Sequence, residues 1–103
     1  MDIITSDDLK TKIFTIRRVQ VMLDRDLAML YGVQTKVLNQ AVKRNIDRFP
    51  KSFAFQLSNG ELGELVTNCD RLTLLKHSSS NPNVFTEQGI TMLSTVIRIK
   101  RIL

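Results

Sequence analysis

The segment from Asp24 to Asn45 constrains the fold most strongly, because it contains two short amphipathic patterns separated by one glycine. Apolar residues recur at helical spacing before Gly32, which gives the first predicted helix a single apolar face. Gly32 is expected to end that helix, since glycine adopts the left-handed conformation at little cost. After Gly32 the same spacing predicts a second helix whose inward residues are Val37, Leu38, Ala41 and Val42. The segment therefore predicts a helix-turn-helix in outline.

Two further features of this segment concern how its helices begin and how closely they cross. Asp24 and Thr35 are predicted to cap the first and second helix, because short polar side chains accept hydrogen bonds from early backbone N–H groups. Ala28 and Ala41 supply small residues at the predicted crossing. A larger side chain at either position is expected to cost roughly 1–3 kcal/mol through overpacking.

The side chains expected on the outer face of the second helix are amides and cations. Amides suit the edges of bases, and cations suit phosphates. The hypothesis is that this helix enters the major groove of double-stranded DNA, with Asn39 and Gln40 contacting base edges. A solvated charged face is the alternative explanation for the cations. The predicted DNA-binding residues are Gln34, Thr35, Lys36, Asn39, Gln40, Lys43, Arg44 and Arg48.

Several ordered runs of residues extend the pattern over about residues 13–97. These runs are Val21 to Ala28, Leu30 to Val33, Leu38 to Asn45, Arg48 to Pro50, Phe53 to Leu57 and Phe85 to Gly89. Together they closely resemble the phage ORF-six N-terminal domain. The resemblance implies a DNA-binding domain of phage and bacterial proteins, akin to the KilA-N and Bro-N domains. Such domains usually stand at the N-terminus of longer proteins, including antirepressor-like ones.

The remaining patterns predict an α+β fold, with a small antiparallel β element packed against the helix-turn-helix and two further helices. Strand-like patterns cover residues 13–23 and 53–57, and the resemblance implies a hairpin around Arg18. Ser58 and Glu61 form a capping box that predicts a helix from Asn59 to Asn68, and Thr86 is predicted to cap the last helix. Residues 70–76 weakly favour a short strand. Residues 1–12 are expected to form a loosely docked arm, and residues 13–103 a single domain, the N-terminal part of a longer protein.

Composition narrows the class of function. The net charge is +5, and between Lys36 and Lys51 five basic residues stand against one acid, which is typical of a nucleic-acid binder. No apolar run is long enough for a membrane helix, so a cytoplasmic location is expected. One histidine, His77, and one cysteine, Cys69, do not make a metal site. We therefore expect no cofactor, no small-molecule substrate and no enzymatic activity.

The sequence thus predicts sequence-specific DNA binding in a phage- or prophage-derived transcription regulator or antirepressor-like protein. The alternative is a protein-interaction or oligomerisation module that docks through its apolar C-terminal helix, where Ile99, Ile102 and Leu103 continue the apolar positions. The two functions are compatible, because a homodimer formed through that helix would space two recognition helices along a duplex.

Overall fold

A four-stranded antiparallel sheet, with strand order β1-β2-β4-β3, forms the centre of the fold. The computed structural model describes residues 10–77 and 80–97. The strands are β1 (Ile13–Ile16), β2 (Val19–Leu23), β3 (Ala54–Gln56) and β4 (Asn83–Thr86). The α-helices are α1 (Asp24–Tyr31), α2 (Thr35–Arg44), α3 (Asn59–Asn68) and α4 (Glu87–Val96), and 3-10 helices cover Ile46–Arg48 and Asp70–His77. The predicted α+β class is confirmed.

Helices cover both faces of the sheet, because alternate residues of each strand point to opposite sides. Met22 and Phe85, a cross-strand pair, lie in one apolar cluster with residues of α1, α2 and α4. The neighbouring pair of Leu23 and Val84 lies in a second cluster with residues of α3 and the second 3-10 helix. The core is therefore divided by the sheet into two halves.

The hairpin implied around Arg18 joins β1 to β2 through a two-residue turn. Arg17 has φ 54° and Arg18 has φ 66°, so both central residues are left-handed, as a type I′ turn requires. The backbone of this turn type matches the right-handed twist of the paired strands. Glycine and asparagine usually occupy its left-handed positions, because they adopt a positive φ with less strain than arginine does.

The helix pair is present, and its turn is made as expected at Gly32. Gly32 has φ 70°, and its N–H donates to Met29 O at 3.2 Å while Val33 N–H donates to Ala28 O at 3.0 Å. These two bonds form a Schellman motif, which satisfies carbonyl groups at the end of α1. The two capping predictions were wrong: Leu23 and Gln34 occupy the N-cap positions, and neither makes a side-chain cap hydrogen bond. Asp24 and Thr35 are instead the first residues of their helices.

Two predictions in the second half of the chain also differ from the structure. Asn83–Thr86 forms the strand between β2 and β3, where the sequence predicted only a lead into the last helix. Asp70–His77 is a 3-10 helix rather than a strand. Its buried residues Leu72 and Leu75 are three apart, which matches the three residues per turn of a 3-10 helix.

The predicted caps of the last two helices are confirmed. At α3, Ser58 Oγ accepts from Glu61 N at 3.2 Å, and Ser58 N donates to Glu61 Oε1 at 2.8 Å. At α4, Thr86 Oγ1 accepts from Gly89 N at 3.3 Å. The helix ends at Val96, because Ile97 is extended (φ −94°, ψ 136°) and buried. The apolar positions Ile99, Ile102 and Leu103 lie outside the described residues, as does most of the predicted arm at 1–12.

Candidate nucleic-acid interface

The solvent-facing side of α2 is a stripe of four exposed side chains. Their spacing of i, i+4, i+7 and i+8 places them on one face, opposite the fully buried Leu38. No acidic residue occurs in α2. The stripe consists of Lys36, Gln40, Lys43 and Arg44.

Two more of the predicted DNA-binding residues lie exposed beside this stripe. Gln34 is exposed at the N-cap of α2, and Arg48 is exposed in the 3-10 helix that follows it. With these additions, six of the eight predicted residues are open to solvent at α2 or directly beside it.

Asn39 and Thr35 do not face out as the sequence predicted. Both are half-buried, and the amide of Asn39 is engaged on both sides. Asn39 Nδ2 donates to Asp24 Oδ2 at 2.9 Å, and Asn39 Oδ1 accepts from Asn83 Nδ2 at 3.2 Å. The reason is helical geometry: Asn39 lies on the flank of α2 that faces Asp24 and β4, off the exposed stripe.

Asp24 is the centre of this polar cluster, and the residue is only 4% exposed. Its Oδ1 accepts from Arg25 N at 2.7 Å. Its Oδ2 accepts from Asn39 Nδ2 and also from Asn83 N at 3.2 Å. One carboxylate therefore joins the start of α1, the flank of α2 and the beginning of β4. Sequence reasoning assigned Asp24 only to the helix terminus, because no local pattern reveals a partner 59 residues away.

The second acid of α1 has a separate partner. Asp26 is buried and accepts from Arg71 through both carboxylate oxygens, at 3.2 and 3.0 Å. Arg71 also lies over the ring of Phe14, 5.6 Å from its centroid. Asp26 thus connects α1 to the second 3-10 helix and, through Arg71, to β1.

Arg17 at the hairpin tip is bound within the protein. Its guanidinium donates to both carboxylate oxygens of Glu61, at 2.8 and 3.1 Å, and lies 4.1 Å from the centroid of the Phe55 ring. The hydrogen bonds from Arg17 and from the Ser58 backbone lower the pKa of Glu61 to about 2. Arg17 therefore has an intramolecular partner, Glu61, although it lies at an exposed turn.

A groove of about 870 Å³ lies between α2 and β3. On the α2 side its wall includes Lys36, Gln40 and Lys43, and on the other side it includes the three residues of β3. Phe49, Pro50 and Lys51 line it as well. Two cations of the exposed stripe therefore also stand at the rim of this groove.

The chain from β1 to α4 matches a known family. Residues 11–96 fit the family model described as the ORF6N domain, a range that includes every strand and α-helix named above. The chain belongs to the ORF6N domain family. ORF6N is a phage-associated family, and the match confirms the resemblance seen in the sequence. No curated protein and no solved structure matches this ORF6N chain.

The described part of this ORF6N chain offers neither a cluster of metal ligands nor a membrane-spanning helix. Among residues 10–77 and 80–97, no three His, Cys, Asp or Glu side chains group closely enough to hold a metal ion. No helix in those ranges has the length and apolar character needed to cross a bilayer.

Proposed function

We propose that α1 and α2 act as a helix-turn-helix and that α2 is the recognition helix for double-stranded DNA. The observation that carries the proposal is the exposed stripe on α2, in which three cations and one amide lie on one face without an acid. Cations of this kind supply the phosphate contacts that dominate affinity for DNA. The protein would then act as a phage- or prophage-derived transcription regulator or antirepressor-like protein, without a catalytic step or a cofactor.

Each residue of the interface takes a role that follows from its exposure. Gln40 is central in the stripe and contacts a base edge, for which adenine is the favoured partner of an amide. Gln34 and Lys36 lie at the N-terminal end of α2, the end that usually meets the groove in this class. Lys43, Arg44 and Arg48 hold phosphates. Asn39 orients α2, since its amide is already bonded to Asp24 and Asn83.

Fluorescence anisotropy with random-sequence duplex DNA tests the phosphate contacts. Three phosphate contacts predict a loss of affinity of roughly fortyfold between about 50 and 200 mM salt. The variant Lys43→Glu, Arg44→Glu should bind at neither salt concentration.

The matched control is Lys10→Glu, Lys12→Glu, which changes the net charge by the same amount but precedes β1, at the sheet edge opposite β3. It should retain most of the affinity. If the two variants lost DNA affinity equally, the interaction would depend on net charge alone and not on α2. If the unaltered chain did not bind DNA, the proposal would be overturned.

Base contact needs a separate test on a DNA site selected from a random library. Gln40→Ala is expected to lose about 1–3 kcal/mol of discrimination at one base position and little elsewhere. Competition assays with single-base variants of the selected site measure this. A uniform loss over all positions would place Gln40 among the phosphate contacts instead.

A further inference from the structure

β3 is an edge strand, because the sheet order gives it one neighbour, β4. Its hydrogen bonds to that neighbour come from alternate residues. Phe53 O accepts from Thr86 N at 2.9 Å, and Leu57 N donates to Pro82 O at 3.0 Å. With Phe55 paired to Val84 in the same register, residues 53, 55 and 57 direct their backbone groups towards β4.

Because of this alternation, the backbone N–H and C=O groups of Ala54 and Gln56 point away from β4, towards the open edge of the sheet. Ala54 N–H is satisfied by Pro50 O at 3.1 Å. That leaves Ala54 C=O, Gln56 N–H and Gln56 C=O without a hydrogen-bond partner in the described part of the chain. Such a row of unpaired groups is a template for another strand.

This free edge lies in the groove between α2 and β3. Ala54 and Gln56 point to the sheet face that carries α2, and Phe55 points to the opposite face, yet all three line the groove. The groove therefore passes around the edge of β3. Lys36 and Lys43 on α2, together with Lys51, stand along it, and none of the three forms an ion pair with a described residue.

The chemistry of the edge distinguishes between two kinds of occupant. A phosphodiester strand carries acceptors, so it could pair with Gln56 N–H but would face the two carbonyl oxygens unfavourably. An extended peptide has both donors and acceptors and can satisfy all three groups. The three lysines then favour acidic side chains on that peptide.

We propose that the groove between α2 and β3 binds an extended acidic peptide segment of a partner protein, which adds a strand to the free edge of β3. Lys36 and Lys43 belong to both this groove and the exposed stripe of α2, so the acidic segment and duplex DNA would compete. The competition rests on the proposed DNA-binding function, whereas binding of the peptide does not.

The experiment begins with selection of random dodecapeptides against the whole chain. The selected peptides should carry Asp or Glu at alternate positions. A fluorescein-labelled copy of the most enriched peptide is then titrated with the unaltered chain, with Gln56→Pro and with Gln56→Ala. Proline is tolerated on an edge strand where its missing N–H faces away from the sheet, so Gln56→Pro removes the donor while β3 stays paired to β4.

Gln56→Pro should weaken peptide binding about tenfold or more, as expected for one lost backbone hydrogen bond with the ring in the path of the added strand. Gln56→Ala loses the side-chain bond from Nε2 to Asn81 O but keeps the backbone N–H, and it should bind the peptide as the unaltered chain does. Both variants should still bind duplex DNA, which also reports that they are folded. Equal weakening in the two variants would overturn the strand addition.

Two further measurements keep the test independent of how Gln56→Pro folds. Peptides N-methylated at one set of alternate amides should lose binding, while the complementary set should retain it, since only one edge of the added strand faces β3. Lys51→Glu should weaken the peptide and leave DNA affinity nearly unchanged.

Failure to enrich acidic peptides, or equal behaviour of the two N-methylated sets, would overturn the proposal. Loss of DNA affinity in Gln56→Pro and Lys51→Glu, with no peptide selected, would assign the groove to a DNA strand. Neither result would affect the test of α2, which depends on Lys43 and Arg44.

Discussion

Arg17 shows how one side chain connects distant parts of the ORF6N chain. It lies at the tip of the β1–β2 hairpin, and its bidentate bond to Glu61 reaches the first turn of α3, 44 residues away. Glu61 also completes the capping box with Ser58, so the same carboxylate serves a local and a long-range role. Both sets of hydrogen bonds favour the charged form of Glu61, which is why its pKa falls.

Acid titration at Glu61 provides a prediction at this scale. The pKa of Glu61 is about 2 in the folded chain, against an ordinary value of 4.5. The stabilisation from its charged form is therefore complete above about pH 4.5 and is lost as the pH falls towards 2. In Arg17→Ala the pKa should rise part of the way back, because the bonds from Ser58 remain.

Carboxyl carbon chemical shifts recorded against pH by NMR measure this. Arg18→Ala is the matched control, since Arg18 is exposed beside Arg17 in the same turn and makes no hydrogen bond to Glu61. If the titration midpoint of Glu61 stays near pH 2 in Arg17→Ala, Arg17 is not the main cause of the lowered pKa.

At the scale of elements, α4 packs against the chain before β3 through a contact that admits only glycine. A Cβ atom at Gly89 would lie 1.9 Å from Phe53 O and 2.7 Å from the carbonyl carbon. That carbonyl cannot move freely, because it accepts from Thr86 N at 2.9 Å and from Thr86 Oγ1 at 3.2 Å. Thr86, which caps α4, is thus bonded directly to Phe53, the residue before β3.

Gly89→Ala should lower the free energy of unfolding by roughly 1–3 kcal/mol or more, because backbone has to shift. Gly63→Ala in α3 is its counterpart: nothing lies within 4 Å of a Cβ placed there. It should raise the free energy of unfolding by roughly 0.5–1 kcal/mol, since alanine favours a helix interior. Urea unfolding of both variants measures the difference, and a stabilised Gly89→Ala would contradict the close contact.

At the scale of the whole molecule, the cluster of Asp24, Asn39 and Asn83 joins α2, the proposed recognition helix, to the sheet. Its members come from α1, α2 and β4, and the carboxylate at its centre is almost fully buried. An arrangement of this kind holds α2 at one orientation relative to the sheet, as the proposed contact of α2 with bases would require.

Asp24→Asn should therefore destabilise the fold by about 1–3 kcal/mol, because one carboxylate oxygen becomes a donor that faces donors. It should also weaken DNA binding at all sequences alike. Urea unfolding of Asp24→Asn, Asn39→Ala and the double variant forms a cycle whose coupling is expected to exceed about 0.5 kcal/mol. Additive losses would show that Asn39 is positioned by other contacts.

Several predictions from sequence that depended on neighbouring residues were confirmed, although the caps predicted at Asp24 and Thr35 were not. The end of α1, the turn at Gly32 and the capping box of α3 each depend on groups within about five residues along the chain. Burial of Leu38 and exposure of Lys36 and Gln40 followed from the helical period in the same way. Such patterns predict the structure correctly because they depend only on local backbone geometry.

The sequence by itself determined that this chain forms two short helices around Gly32, with a basic outer face on the second, and that it resembles the ORF6N family. Only the tertiary structure decided that Asn39 turns inward to Asp24, that β4 lies at the centre of the sheet, and that β3 presents a free edge to a groove. Asn83 meets Asn39 across 44 residues and Asp24 across 59. Contacts at such separations arise from how the sheet brings distant segments together, and no periodicity within one segment encodes them.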